Sequence, residues 1–119
     1  MICLHLFFWL LVGHALCDFP LQGDFLAQAK NRHTAIGKLF WHWALPTHAL
    51  IHAAAVTLVT GSYALGLFEF FAHMGIDYLK CENKLTFAQD QTLHIAFKAA
   101  YVAYVALGLI SVHPFHPPM

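Results

Sequence analysis

A chain of 119 residues that is 60% hydrophobic and 10% charged, with a mean hydropathy of +0.61, forms one domain and has the composition of a membrane protein rather than a soluble one. Six basic residues balance six acidic ones and no basic run is long enough to hold a polyanion by counterion release, which excludes a nucleic-acid partner. Cys3, Cys17 and Cys81 are odd in number and lack C-x-x-C spacing, which excludes a disulfide framework and a zinc ribbon.

Residues 2 to 17 are expected to form the first apolar helix. They carry no positive n-region, and Ala15, Leu16 and Cys17 make a poor cleavage site, so the segment is read as a span and not as a signal peptide. Asp18, Phe19 and Pro20 end it, because proline cannot continue a helix and biases the residue before it toward extended geometry. Gly23 and Asp24 then open a short amphipathic stretch, Phe25 to Arg32, which with Lys30, Arg32 and Lys38 suits a segment lying at the headgroup level.

From Trp41 to Lys80 the chain is apolar for 40 residues, twice the length one span needs, with a break at Gly61, Ser62 and Tyr63. This predicts a second helix over about Ala44 to Thr60 and a third over about Ala64 to Lys80. The fourth runs from about Phe87 to Val112, before the Pro-rich tail of residues 113–119. Trp41 and Trp43 suit an interfacial belt where the second helix enters. The expected fold is all-α: a four-helix transmembrane bundle with a short interfacial amphipathic helix between its first two spans.

Lys30, Arg32 and Lys38 fall in the first connection and Lys80 and Lys84 in the third, while the second connection has no basic residue. By the positive-inside rule, residues 18–43 and 80–87 are cytoplasmic and both termini lie outside.

Against this apolar background, four pairs of side chains stand four residues apart: His14 with Asp18, His48 with His52, His73 with Asp77, and Asp90 with His94. That spacing puts both members on one helix face, one turn apart. On the four-helix topology the pairs fall at the end of the first helix, the start of the second, the end of the third and the start of the fourth. All four therefore share one depth, which scattered polar residues would have no reason to do after three reversals of the chain.

An isolated charge at that depth costs about 2.5 to 3.5 kcal/mol on insertion scales, so the pairs need a compensating partner. A buried set of His–Asp hydrogen bonds would supply one, and so would a bound metal. Imidazole and carboxylate together suit zinc best, with iron or manganese as alternatives, and the eight residues suffice for one or two divalent ions with open positions. Gln22, Asp24 and Gln91 stand beside the pairs as candidates for catalytic or substrate contacts.

His33 and His42 are expected on the surface, and His5, His113 and His116 on the opposite side of the bilayer. Cys17 and Cys81 read as packing residues. The phenylalanine runs Phe7, Phe8 and Phe68, Phe70, Phe71 face lipid or core. Glu69 is odd in its apolar run and receives no role. Lys98 either snorkels or faces the bundle interior.

The motifs H-A-L-C-D-F-P-L-Q-G-D at 14–24 with Lys30 downstream, H-A-L-I-H at 48–52, H-M-G-I-D-Y-L-K at 73–80 and D-Q-T-L-H at 90–94 resemble, in order, the small membrane proteins of domain-of-unknown-function family 3307, found in bacteria and their phages. The resemblance implies a multi-helix protein of the bacterial inner membrane. Its polar motif positions match His14, Asp18, Gln22, Asp24, His52, His73, Asp77, Asp90, Gln91 and His94. On pair spacing alone the chain is also similar to membrane-bound metal-dependent hydrolases of the YdjM type, and through them to the all-helical zinc phospholipase C and nuclease group.

The function expected from this reading is metal-dependent hydrolysis of a phosphoester or similar bond, in an anionic or lipid substrate at the cytoplasmic leaflet. His14, Asp18, His48, His52, His73, Asp77, Asp90 and His94 are the expected metal ligands. Asp24 is the expected base with Gln22 beside it, and Lys30, Arg32 and Gln91 would hold the substrate. The alternatives are a metal-ion transporter, a dinuclear iron oxidase, for which bridging glutamates are missing, and a non-catalytic interaction protein with a structural polar core. A homo-oligomer is compatible with so narrow a bundle.

Overall fold

The first helix stops where the sequence turns against it: Phe19 leaves helical geometry at φ −110° and ψ −82°, and Pro20 follows. In the computed structural model, which describes residues 1–113, the chain forms α1 (Ile2–Asp18), α2 (Gly23–Ala29), α3 (Gly37–Thr60), α4 (Tyr63–Cys81) and α5 (Phe87–Ala106). The described residues contain no strand. Gly23 takes a positive φ of 63° between α1 and α2, and the two helix axes differ by 83°. The tail beyond residue 113, including His116, lies outside the described residues.

The α2 helix ends at Ala29, short of the expected Arg32, and two other helix ends differ further from the sequence expectation. The α3 helix begins at Gly37 instead of near Ala44, because the Thr34 hydroxyl accepts a hydrogen bond from the Gly37 amide at 2.9 Å and supplies a cap. Pro46 consequently sits inside the helix, where it forfeits one backbone bond. The α5 helix ends at Ala106 instead of near Val112: Gly108 adopts a φ of 72°, and the Leu109 amide turns back to the Tyr104 carbonyl at 3.0 Å. The other ends follow local chemistry. Gly61 closes α3 in left-handed geometry, Ser62 caps α4 through the Leu65 amide, and Thr86 with Gln89 forms a capping box at the start of α5.

The helices close into a ring in which α1 packs on α3, α3 on α4, α4 on α5 and α5 back on α1, with α2 lying against α3. The end bearing α2 and the α4–α5 turn is the end where all four His/Asp pairs meet. The opposite half is filled by Leu6, Leu10, Val56, Leu65 and Tyr101, with Val59, Phe97, Val102 and Ile110 packed around them. At that far end the His113 amide donates to the Thr60 carbonyl at 2.9 Å, so His113 lies across the bundle from the pairs, as expected.

Among the described residues, the α3 helix alone is long and apolar enough to cross a membrane by itself. The α1 and α2 helices reach that measure only when taken together across their bend, so the four independent spans expected from the sequence are not reproduced by length and apolarity alone.

Gly66 marks the closest approach of α4 to α3. A β-carbon there would collide with the Thr57 hydroxyl and come within 3.0 Å of the Ala53 carbonyl oxygen. Gly66→Leu is expected to cost about 1–3 kcal/mol through overpacking. Chemical denaturation of the detergent-solubilised protein, followed by circular dichroism, measures that loss.

Candidate metal centre

Each helix of the ring buries one stripe at three- and four-residue spacing: Leu6, Leu10, His14 and Cys17 on α1; Ala49, His52, Val56 and Thr60 on α3; Glu69, His73, Ile76 and Asp77 on α4; Asp90, His94, Lys98 and Tyr101 on α5. Toward the α2 end these stripes turn polar at the same level, and the imidazoles fall into contact. The rings of His52 and His73 stack at 3.6 Å between centroids and those of His73 and His94 at 4.2 Å, with His14 and His48 beside them.

Asp18 and Asp77 sit among these rings. Asp18 Oδ1 lies 3.0 Å from His52 Nε2, 3.3 Å from His48 Nε2 and 3.9 Å from His73 Nε2. Its Oδ2 lies 3.4 Å from His14 Nε2. Asp77 Oδ2 is 3.3 Å from His48 Nε2 and 3.5 Å from His73 Nε2, and its Oδ1 is 3.1 Å from His94 Nε2. Asp90 Oδ1 stands 3.4 Å from His94 Nε2. Gln91 joins the α1 and α5 pairs, its amide nitrogen donating to Asp18 Oδ2 at 2.8 Å and Asp90 Oδ2 at 3.1 Å while its carbonyl oxygen meets His14 Nε2 at 3.1 Å.

The donor set fits a divalent transition ion. Three groups have ligand atoms within 4.8 Å of one another: Asp18, His48, His52 and His73; His14, His73 and His94; and Asp18, Asp90 and His94. Bonds of about 2.1 Å to a tetrahedral ion place its ligand atoms about 3.4 Å apart. The separations of 3.0, 3.3 and 3.9 Å around Asp18 Oδ1 bracket that edge. Moreover, His48 Nε2, His73 Nε2 and Asp90 Oδ1 are buried in the cluster without a hydrogen bond. Buried polar atoms left unpaired cost free energy, and a cation held by the first group would satisfy both nitrogens, while Asp90 belongs to the third.

Residues to which the sequence reading gave no role complete the site. Glu69 Oε1 lies 3.2 Å from His73 Nδ1 and accepts from Lys98 Nζ at 2.6 Å, while Tyr101 donates to Glu69 Oε2 at 2.5 Å. This is the arrangement in which a carboxylate turns an imidazole so that its other nitrogen faces a metal. Lys98 therefore faces the interior. Glu69 and His73 share the four-residue spacing of the other pairs, as do His94 and Lys98, and that repeat was the available signal.

The residues expected to act on substrate divide. Lys30 reaches in from the end of α2 and donates to Asp77 Oδ2 at 2.7 Å. Gln22 approaches through a hydrogen bond from its amide to the Asp18 carbonyl at 3.2 Å, and its own side-chain oxygen is buried without a partner. Arg32 instead pairs with Glu82 at the surface and lies over the Tyr78 ring, and His33 contacts the same carboxylate at 3.1 Å. The hydrogen bond from Arg32 pulls the Glu82 carboxyl down to about 2. Asp24 is exposed in the first turn of α2, and no hydrogen bond or ion pair among the described residues joins it to the cluster.

A family model described as a protein of unknown function, DUF3307, matches residues 6–116 of the chain. No curated protein and no solved structure matches it.

Proposed function

The chain belongs to the DUF3307 family, and from its own geometry we propose that it is a multi-pass membrane protein that binds a divalent transition metal and hydrolyses a phosphoester or related bond at the cytoplasmic leaflet. The observation that carries the metal reading is the convergence of potential ligands from four helices in one buried cluster, with unpartnered imidazole and carboxylate atoms on three of them.

The membrane reading is supported by an inverted burial pattern. Histidine, aspartate, glutamate and lysine occupy the interior at the α2 end, while Leu4, Phe8, Trp43, Leu50, Leu58, Leu67, Phe71, Ile95 and Tyr104 face outward. A water-soluble bundle buries the second set and exposes the first. With helices of 17 to 24 residues the ring matches a bilayer of roughly 30 Å. The basic residues Lys30, Arg32, Lys38, Lys80 and Lys84 all lie at the cluster's end of the bundle, which by the positive-inside rule supports a site in the cytoplasmic leaflet.

Asp18, His48, His52 and His73 would hold the ion, with zinc preferred for this donor set and iron or manganese as alternatives. A metal of this kind supplies a water of near-neutral pKa and polarises a phosphoryl oxygen. The chain's own residues set the rest. Gln91 fixes Asp18 and Asp90 by donating to both. Glu69 holds His73 by its Nδ1. His48 and His73 are fully buried, whereas the Asp18 and Lys30 side chains keep 9% and 14% of their surface, so solvent meets the cluster from the side of α2. Lys30 brings a positive charge to that side, where an anionic group would enter. Transport is disfavoured because the apolar plug of Leu6, Leu10, Val56 and Leu65 closes the far half of the bundle.

Elemental analysis of the detergent-purified protein beside His73→Ala, with helical content followed by circular dichroism, tests this reading. The native chain is expected to carry zinc, iron or manganese and to cleave bis(p-nitrophenyl) phosphate in a metal-dependent way, and the folded variant to lose both. A folded native protein that stays metal-free after reconstitution would make the cluster a hydrogen-bonded structural core. Bound metal without hydrolysis would leave the centre and remove the enzyme.

A further inference from the structure

The two central carboxylates each face two ways, and we infer, on the metal-centre reading above, that the site holds two divalent ions bridged by Asp18 and Asp77. A carboxylate serving one ion needs only one oxygen turned toward the ligands. Here Asp18 presents Oδ1 to His48, His52 and His73, while its Oδ2 accepts from Gln91 at 2.8 Å and lies 3.4 Å from His14, and its ligand atoms fall within two separate groups of potential ligands. Asp77 divides its oxygens too, Oδ2 toward His48 and His73 and Oδ1 toward His94.

Two ligand sets result. The first is Asp18, His48, His52 and His73, drawn from α1, α3 and α4. The second is Asp18, Asp90 and His94, drawn from α1 and α5, with Asp77 Oδ1 against His94. The imidazoles at their border, His73 and His94, are stacked at 4.2 Å. Their ligand nitrogens lie within 4.8 Å of each other, so each could serve one of two ions roughly 3.5–4 Å apart.

Charge gives the inference a substrate class. Asp18, Asp77, Asp90 and Glu69 carry four negative charges, and Lys30 and Lys98, each on one of these carboxylates, return two. With neutral imidazoles the cluster is left at minus two. One divalent ion neutralises it, and a second makes it plus two. A buried excess of that size needs anions, and a hydroxide with a phosphate monoester or diester provides them, whereas a neutral ester or amide does not. A two-ion site of this charge therefore suits an anionic phosphoester, the bond class proposed above.

Manganese is the probe that separates the outcomes. The metal-free, detergent-solubilised protein is loaded with Mn²⁺, its stoichiometry measured by elemental analysis, and its low-temperature electron paramagnetic resonance spectrum recorded. Two ions per chain with an exchange-coupled spectrum are expected, and His94→Ala should lower the stoichiometry to one and restore the hyperfine pattern of an isolated ion. A wild-type protein that saturates at one Mn²⁺ with that isolated pattern overturns the two-ion inference and leaves the metal centre standing. A protein that binds neither Mn²⁺ nor Zn²⁺ overturns both. The wild-type spectrum decides even if His94→Ala fails to fold.

Discussion

Asp77→Asn is expected to be the most damaging conservative change in the molecule, removing metal binding and some of the stability together. The Asp77 side chain is buried, accepts from Lys30 at 2.7 Å and faces His48, His73 and His94 within 3.5 Å. Asparagine keeps the volume and removes the charge. Lys30, whose side chain keeps 14% of its surface, then loses its counter-charge but can turn to solvent, so losing this charged hydrogen bond is expected to cost about 1.5–3 kcal/mol. Metal affinity should fall by more than the roughly 10- to 100-fold that follows loss of a residue that only supports a ligand. Denaturant titration and metal titration on the same preparation read the two losses separately. An Asp77→Asn protein with native metal content would remove Asp77 from the ligand set.

The second large effect is expected at Lys98. It lies almost fully buried against Glu69, whose other oxygen takes the Tyr101 hydroxyl. Lys98→Met leaves the buried Glu69 carboxylate without its counter-charge and is expected to cost about 3–5 kcal/mol. Adding Glu69→Leu removes the stranded charge, and most of the stability should return, because an apolar pair can replace a buried ion pair at little net cost. The Tyr101 hydroxyl, left without its acceptor, holds back about 1–3 kcal/mol of that recovery. Metal affinity should not return. His73 Nδ1 has lost the carboxylate that orients the ring, and affinity is expected to remain roughly 10- to 100-fold below the native value. A double variant with native stability and native affinity would make Glu69, Lys98 and Tyr101 a purely structural network.

Both variants bear on the reason a narrow bundle keeps so many charged groups inside it. A hydrogen-bonded core would be satisfied by fewer, and replacing it by leucine and phenylalanine would be stabilising as often as not. The unpartnered nitrogens of His48 and His73 mark the difference, since a core selected for folding alone leaves few such atoms.

What the sequence determined by itself was everything set by spacing along one helix. Side chains four residues apart leave a helix on one face, so His14 with Asp18, His48 with His52, His73 with Asp77 and Asp90 with His94 were legible as pairs before any packing was known. Helix ends were legible where their cause was local, at Pro20 and at the break over Gly61, Ser62 and Tyr63. The start of α3 was not, because its cap is a hydroxyl in the preceding turn, and the end of α5 was not, because it rests on Gly108 adopting left-handed geometry.

Only the tertiary structure could decide which residues meet across helices. Lys30 joins Asp77 over 47 residues, Gln91 joins Asp18 over 73, and Glu69 joins Lys98 over 29. Nothing in local spacing ranks such contacts, and so Arg32 looked equivalent to Lys30 although it turns to Glu82 at the surface. The same holds for the two oxygens of Asp18 and of Asp77. Their division between two sets of imidazoles depends on how four helix faces close into a ring, and on that division rests the number of ions the site can hold.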